Sequence, residues 1–178
     1  MSNPLNALYR DILLDHYRSP RGNKPIEHFD SSQRGSNPAC GDELNLAIAV
    51  NDNRISDVSV QAKGCAISVA SSSMLTEAVQ GMTLDEASRF AETIRSMMKG
   101  EDVPKDVELG DLDSLSGVRD FPVRVKCALL SWVTLLDAIR IYHEGLDGDK
   151  RAKSGAVSTE APGDKETFAN SRNIGLVL

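Results

Sequence analysis

Three cysteines and one aspartate are the residues of this chain best suited to chemistry. Cys40 and Asp42 stand in Asn37-Pro38-Ala39-Cys40-Gly41-Asp42, Cys65 follows Gly64, and Cys127 lies in Arg124-Val125-Lys126-Cys127-Ala128. The chain has no other cysteine, and the three are separated by 25 and 62 positions, so the thiols come from three separate regions. Three soft thiolates and one hard carboxylate make a donor set suited to a tetrahedral metal ion. Low-pKa thiolates are equally what persulfide chemistry requires. Taken singly, each residue has a plainer reading. Cys127 falls on an apolar helix and reads as core, and Asp42 reads as a turn or cap residue. Spacing alone leaves the metal site and these alternatives open.

The elements that must position these residues follow from periodicity. Asn3-Pro4 reads as a cap and first helical position, followed by Leu5, Leu8, Ile12 and His16 at helical spacing. Ser19-Pro20-Arg21-Gly22 ends that helix, and a short strand is expected near Asp30–Gly35. Leu44, Leu46, Ile48 and Val50 alternate with less apolar residues, and Val58, Val60 and Ala62 return after an Asn51-Asp52-Asn53 turn. Ile55 has the wrong parity for that returning strand, which predicts a bulge or a late start. From Ile67 the period becomes helical, with Ile67, Ala70, Met74, Leu75 and Ala78 on one face and Gly81 as terminator. Ser71-Ser72-Ser73 reads as the polar face of this helix near the site.

Thr83-Leu84-Asp85-Glu86 is a capping box, opening a helix that stops at Gly100. Leu109, Leu112 and Leu115 predict one short helical turn in an acidic stretch, residues 101–117. Phe121-Pro122 opens a last helix whose buried face is Val125, Leu129, Trp132, Val133, Leu136 and Ile139, with Gly145 as its end. The fold class is therefore α+β, a small antiparallel sheet of about three strands packed against several helices. Residues 1–147 form the domain, and 148–178, without periodicity and rich in Gly, Ser, Asp and Lys, are expected to be a disordered tail.

On this layout Cys40 and Asp42 sit in a loop before a strand, Cys65 between a strand and a helix, and Cys127 in the first turns of the last helix. Gly41 permits a sharp turn between Cys40 and Asp42. Free amides at the start of the Ile67 helix favour the Cys65 thiolate. Arg124 is a second candidate, read either as a solvated cation at a helix start or as a guide for a partner or persulfide. His16, His28 and His143 share no metal spacing, and His16, on the stripe of the first helix, reads as a packed residue.

With 178 residues, 40% of them hydrophobic, the chain can bury a core, and with only 4% aromatics that core must be aliphatic. A net charge of -6 argues against a nucleic-acid partner, which needs a basic surface. The N-terminus lacks the basic-then-apolar pattern of a secretory signal. The most apolar stretch, residues 128–142, is interrupted by Ser131, Asp137 and Arg140, so no membrane span is expected. A cytoplasmic location follows, where an odd number of thiols stays reduced. No phosphate-binding glycine loop, His-Glu-x-x-His motif or nucleophile elbow is present.

The three cysteine motifs, together with Ala70-Ser71-Ser72-Ser73-Met74-Leu75 and the continuation Leu129-Leu130-Ser131-Trp132, closely resemble the iron–sulfur assembly proteins of the IscU/NifU N-terminal family over about residues 5–145. Their order is the same. The resemblance is to the SufU branch. Lys126 stands where IscU-type members carry a histidine before the third cysteine, and a protonated lysine has no lone pair for a metal. The long gap between the second and third cysteines matches an insertion of that branch.

The resemblance implies a SufE/NifU-like fold and Zn²⁺ held by Cys40, Asp42, Cys65 and Cys127. It also implies a sulfurtransferase-like role. Cys40 would accept persulfide sulfur from a SufS-type cysteine desulfurase, a desulfurase histidine taking its place on zinc, and the sulfur would pass to a SufBCD-type assembly complex. The alternative is a scaffold on which a labile [2Fe–2S] or [4Fe–4S] cluster forms at the same ligands. A purely structural zinc module is disfavoured by the absence of paired Cys-x-x-Cys knuckles. Asp120-Phe121-Pro122-Val123-Arg124 departs from the stretch by which IscU-type members recruit a dedicated Hsp70 chaperone, so that partner is not expected.

Overall fold

The computed structural model describes residues 4–146 and 153–159. The elements run α1 (Pro4–Arg18), β1 (Ser31–Asn37), β2 (Asp42–Asn51), β3 (Arg54–Lys63), α2 (Ala66–Val79), α3 (Leu84–Met98), a 3-10 helix (Gly110–Val118), α4 (Pro122–Leu146) and β4 (Lys153–Ser158). The sheet order is β3-β2-β1-β4, with β1, β2 and β3 antiparallel and β4 parallel to β1. The class is α+β, as the periodicity predicts, but the sheet has a fourth strand.

The β2–β3 hairpin forms because its apolar residues share one face: Leu44, Leu46, Ile48, Val58 and Val60 are all buried. Asp52 and Asn53 both have positive φ, the conformation that lets a two-residue turn match the twist of the strands. The parity fault at Ile55 is resolved by a register shift between Ala49 and Val50, which turns Ile55 into the core. The Thr83–Glu86 capping box is present with both reciprocal bonds.

The helices α2 and α4 pack together, α2 against β3 and α4 against β1, and Trp132 is fully enclosed. Because α1, α4, β3 and the 3-10 helix all touch α2, it is buried on nearly every side. This overturns the reading of Ser71-Ser72-Ser73 as a polar face. Ser71 Oγ donates to the Ala128 carbonyl and accepts from the Trp132 indole N–H, while Ser72 Oγ donates to the Ser68 carbonyl. Ser73 Oγ accepts the Arg21 amide and lies 2.8 Å from His16 Nδ1. His16, 1% exposed, places its Nε2 3.0 Å from Asp111 Oδ2, so the expected packed histidine also ties α1 to α2 and to the 3-10 helix.

Two boundaries differ from expectation. Helix α4 runs through Gly145 to Leu146. Within the segment expected to be a disordered tail, Lys153–Ser158 pairs in register with Ser31–Ser36. Residues 148–152 and 160–178 of that segment, like Asn3 and Asp147, lie outside the described residues. Strand β4 carries no alternating apolar signal, and its place is set by an open edge on β1 rather than by its own composition. None of the described helices is long and apolar enough to cross a membrane.

Candidate metal centre

The site grows out of the β1–β2 hairpin. Asn37 and Asp42 are Cα partners at its end, leaving Pro38-Ala39-Cys40-Gly41 as the connection. The Cys40 amide donates to the Asn37 carbonyl at 3.2 Å, and Gly41 takes φ +69°, which reverses the chain so that Cys40 and Asp42 converge. Lys63 pairs with Glu43 at the other edge of β2, so Gly64 comes directly against Asp42. A Cβ on Gly64 would lie 2.2 Å from Asp42 Oδ1 and 2.8 Å from Asp42 Cα. Only glycine lets the two strands close at this point.

Cys65 is the N-cap of α2, with its Sγ accepting the Ser68 amide at 3.5 Å. Its own amide donates to Asp42 Oδ1 at 2.8 Å. Cys127 lies in the second turn of α4, fully buried, with Asn37 Nδ2 3.3 Å from its Sγ. The same Nδ2 is 3.4 Å from Asp42 Oδ2. Asn37, read from sequence only as part of a motif, thus stands inside the site.

Ligand atoms of Cys40, Asp42 and Cys127 all fall within 4.8 Å of one another. Cys65 Sγ flanks this trio, 3.8 Å from Asp42 Oδ2. With metal–sulfur bonds near 2.3 Å and metal–oxygen bonds near 2.1 Å, tetrahedral ligand atoms stand roughly 3.5–3.8 Å apart, so the Cys65–Asp42 separation suits a shared ion. All three thiols are free, with Cys40 and Cys65 half-buried and Cys127 buried. Of the four residues chosen from sequence, Cys40, Asp42 and Cys127 converge, and Cys65 lies beside Asp42 outside that trio. No histidine belongs to the convergent trio among the described residues.

The electrostatics fit a cation-seeking site. Burial pushes the Cys127 thiol well above the ordinary range, reinforced by hydrogen bonding to Cys40 and Asp42 and by the charges of Cys65 and Asp42. A thiolate at Cys127 would therefore be stabilised by a compensating cation. Arg124, exposed at the start of α4, has its guanidinium pKa raised by a hydrogen bond with Cys127 and by the charges of Cys65 and Cys40. Arg124 thus interacts with the site sulfurs while remaining exposed to solvent.

The fold is shared with known proteins. Residues 8–147 match the NifU-like N terminal domain, and the chain belongs to that family. It is 37% identical over 131 residues to the zinc-dependent sulfurtransferase SufU of Bacillus subtilis, covering 74% of this chain and 88% of that protein. It is 38% identical over 136 residues to the iron–sulfur cluster assembly scaffold protein IscU of Streptococcus pyogenes, covering 76% and 85%. Among solved structures, one described as an iron–sulfur cluster assembly scaffold protein for the SUF system of Fervidobacterium islandicum superposes with a TM-score of 0.69 at 31% identity. That match covers 75% of this chain and 98% of the other.

Proposed function

We propose that this chain is a zinc-bound sulfur acceptor in iron–sulfur cluster assembly, with Cys40, Asp42, Cys65 and Cys127 as ligands. The carrying observation is the convergence of Cys40, Asp42 and Cys127 within 4.8 Å, with Cys65 beside Asp42 as a fourth donor. Zinc, when bound, would supply the positive charge that keeps these thiols deprotonated. The zinc-dependent sulfurtransferase SufU relative supports this reading. On it, the donor is a SufS-type cysteine desulfurase and the recipient a SufBCD-type complex. Free thiols accord with a reducing, cytoplasmic setting.

Cys40 is the acceptor. It is half-buried and sits in a hairpin loop rather than on a helix or strand, which makes it the easiest ligand to move. Its thiolate attacks the terminal sulfur of the donor's persulfide. A bond forms between Cys40 Sγ and that sulfur, the donor's S–S bond breaks, and the donor cysteine leaves as a thiolate. The exchange needs no outside oxidant or reductant. Arg124 offers a guanidinium to the incoming anionic sulfur. Asp42 stays fixed by the Cys65 and Asn37 N–H groups while Cys40 moves.

A second reading is a scaffold carrying a labile iron–sulfur cluster at the same ligands, favoured by the carboxylate in the set and by the IscU relatives. Metal analysis of protein purified without oxygen separates the two. The sulfur-acceptor reading expects one zinc per chain, whereas iron with sulfide supports the scaffold. Incubation with desulfurase and cysteine, followed by peptide mapping, should place the added sulfur on Cys40, and Cys40→Ala should accept none. Sulfur found mainly on Cys65 or Cys127, with Cys40→Ala still active, would sink the assignment.

A further inference from the structure

We propose that Asn37 is the positioning residue of the metal centre, its side-chain N–H groups holding the Cys127 sulfur and the Asp42 carboxylate together from the interior side. The inference rests on the metal-site reading above and deepens it. Asn37 is wholly buried. A buried amide is costly unless its hydrogen bonds are made, so an apolar residue would suit the inward face of a strand better. The partners it has are metal-ligand candidates. Nδ2 lies 3.3 Å from Cys127 Sγ and 3.4 Å from Asp42 Oδ2, and the backbone carbonyl receives the Cys40 amide at 3.2 Å. One residue therefore touches three of the four candidate ligands. The fourth joins through Asp42, whose Oδ1 accepts the Cys65 amide.

The orientation of the amide carries the argument further. Oδ1 of Asn37 is buried with no hydrogen-bond partner among the described residues, while Nδ2 faces the ligands. Turning the amide over would set its oxygen against a carboxylate and a sulfur, which as anions offer only lone pairs. The arrangement thus suits a site whose Asp42 and Cys127 act as acceptors, as they do when bound to a cation. Cys127 arrives from 90 residues away on α4, and the Asn37 side chain bonds its sulfur directly to the hairpin. An N–H donor on a thiolate also draws off electron density, so Asn37 tunes how strongly Cys127 binds. During sulfur acceptance by Cys40, this bridge keeps the hairpin carboxylate and the helix thiolate in place.

The test compares wild type with Asn37→Asp, which keeps the shape and removes the donors, and Asn37→Leu, which removes all polarity. Zinc affinity is read by competition with a chromophoric chelator, and Co²⁺ is used as a spectroscopic substitute. The expected result is a roughly 10–100-fold loss of zinc affinity in both variants, with a shifted thiolate-to-cobalt charge-transfer band. Asn37→Leu should keep a cooperative melt in the metal-free state, since it also removes the unpaired Oδ1. Variants that bind zinc within threefold of wild type, with the same cobalt spectrum, overturn the proposal. A measurement on wild type alone guards against misfolded variants. On loading with ¹¹³Cd, the Asn37 side-chain NH₂ resonances should shift strongly and couple to cadmium through the hydrogen bond. Resonances left unmoved by bound cadmium overturn the proposal. A wild-type protein that binds neither zinc nor cadmium overturns the metal-site reading itself as well.

Discussion

Gly64 and Gly41 flank Asp42 in space and in sequence, yet they are glycines for different reasons, and substitution separates them. At Gly64 an added methyl would meet Asp42 Oδ1 at 2.2 Å and the Asp42 Cα at 2.8 Å, and a backbone atom cannot swing away. Gly64→Ala should therefore displace Asp42, cost about 1–3 kcal/mol as overpacking, and weaken zinc binding by roughly tenfold or more. At Gly41 a methyl meets nothing within 4 Å, and only the φ of +69° resists it. Gly41→Ala should cost about 1–2 kcal/mol of stability and leave zinc affinity close to wild type. Urea melts and chelator competition on the two variants check the contrast. Equal zinc affinity in Gly64→Ala and wild type would show that the close approach to Asp42 does not position the carboxylate.

At the scale of elements, β4 changes what truncation should do. Composition alone predicts that residues 148–178 are dispensable. In the structure Lys153–Ser158 lie parallel to β1, and the Thr159 amide donates to the Ser36 carbonyl at 2.9 Å, next to Asn37. Thr159 is buried, and Val157 packs against the core. Deletion after Asp147 returns the outer edge of β1 to water. Hydrogen bonds contribute only about 1 kcal/mol each net, and ordering the strand costs entropy, so the expected loss is on the order of 1–2 kcal/mol. At this chain length that is roughly 2–8 °C in Tm. Calorimetry of the zinc-loaded truncation checks it, and an unchanged melt would mean that the pairing of β4 adds no stability.

At the scale of the molecule, a metal bound by these ligands would join three segments but would not have to create the fold. The core of Leu46, Ile48, Leu75, Leu129, Trp132 and their neighbours is continuous without it. Chelation should lower Tm while leaving a cooperative transition, unlike a zinc finger that unfolds outright. The pH dependence of the metal-free form follows from Cys127. Burial raises its pKa above the ordinary 9.0, so the folded state holds this proton more tightly than the unfolded chain does. That contribution to stability is fully present below the ordinary thiol pKa and is lost as pH rises above it. Melts of metal-free protein should therefore fall through the alkaline range. Zinc affinity should rise with pH, because binding releases the thiol protons. A metal-free melting temperature that climbs with alkaline pH would contradict the burial of a neutral thiol.

The sequence by itself determined whatever is local. Asp52 and Asn53 at the hairpin turn, the Thr83–Glu86 box, the alternation of β2 and the helical stripes each act through neighbours a few residues away, and the structure has them. The four candidate ligands were legible as residue types in turn and cap contexts. Tertiary structure decided the rest, because the deciding contacts are distant in the chain. Strand β1 turns Ser31, Gln33, Gly35 and Asn37 inward, a face with no apolar signal, and Gly35 is accepted there because Thr134 and Leu130 of α4 leave no space for a Cβ. The serines of α2 are interior because Ala128 and Trp132, some 60 positions on, take up the Ser71 hydroxyl. Strand β4 is a strand only because β1 has a free edge for it. Asn37 meets the Cys127 sulfur only once α4 has packed across the hairpin, since no pattern within either segment relates residues 90 positions apart.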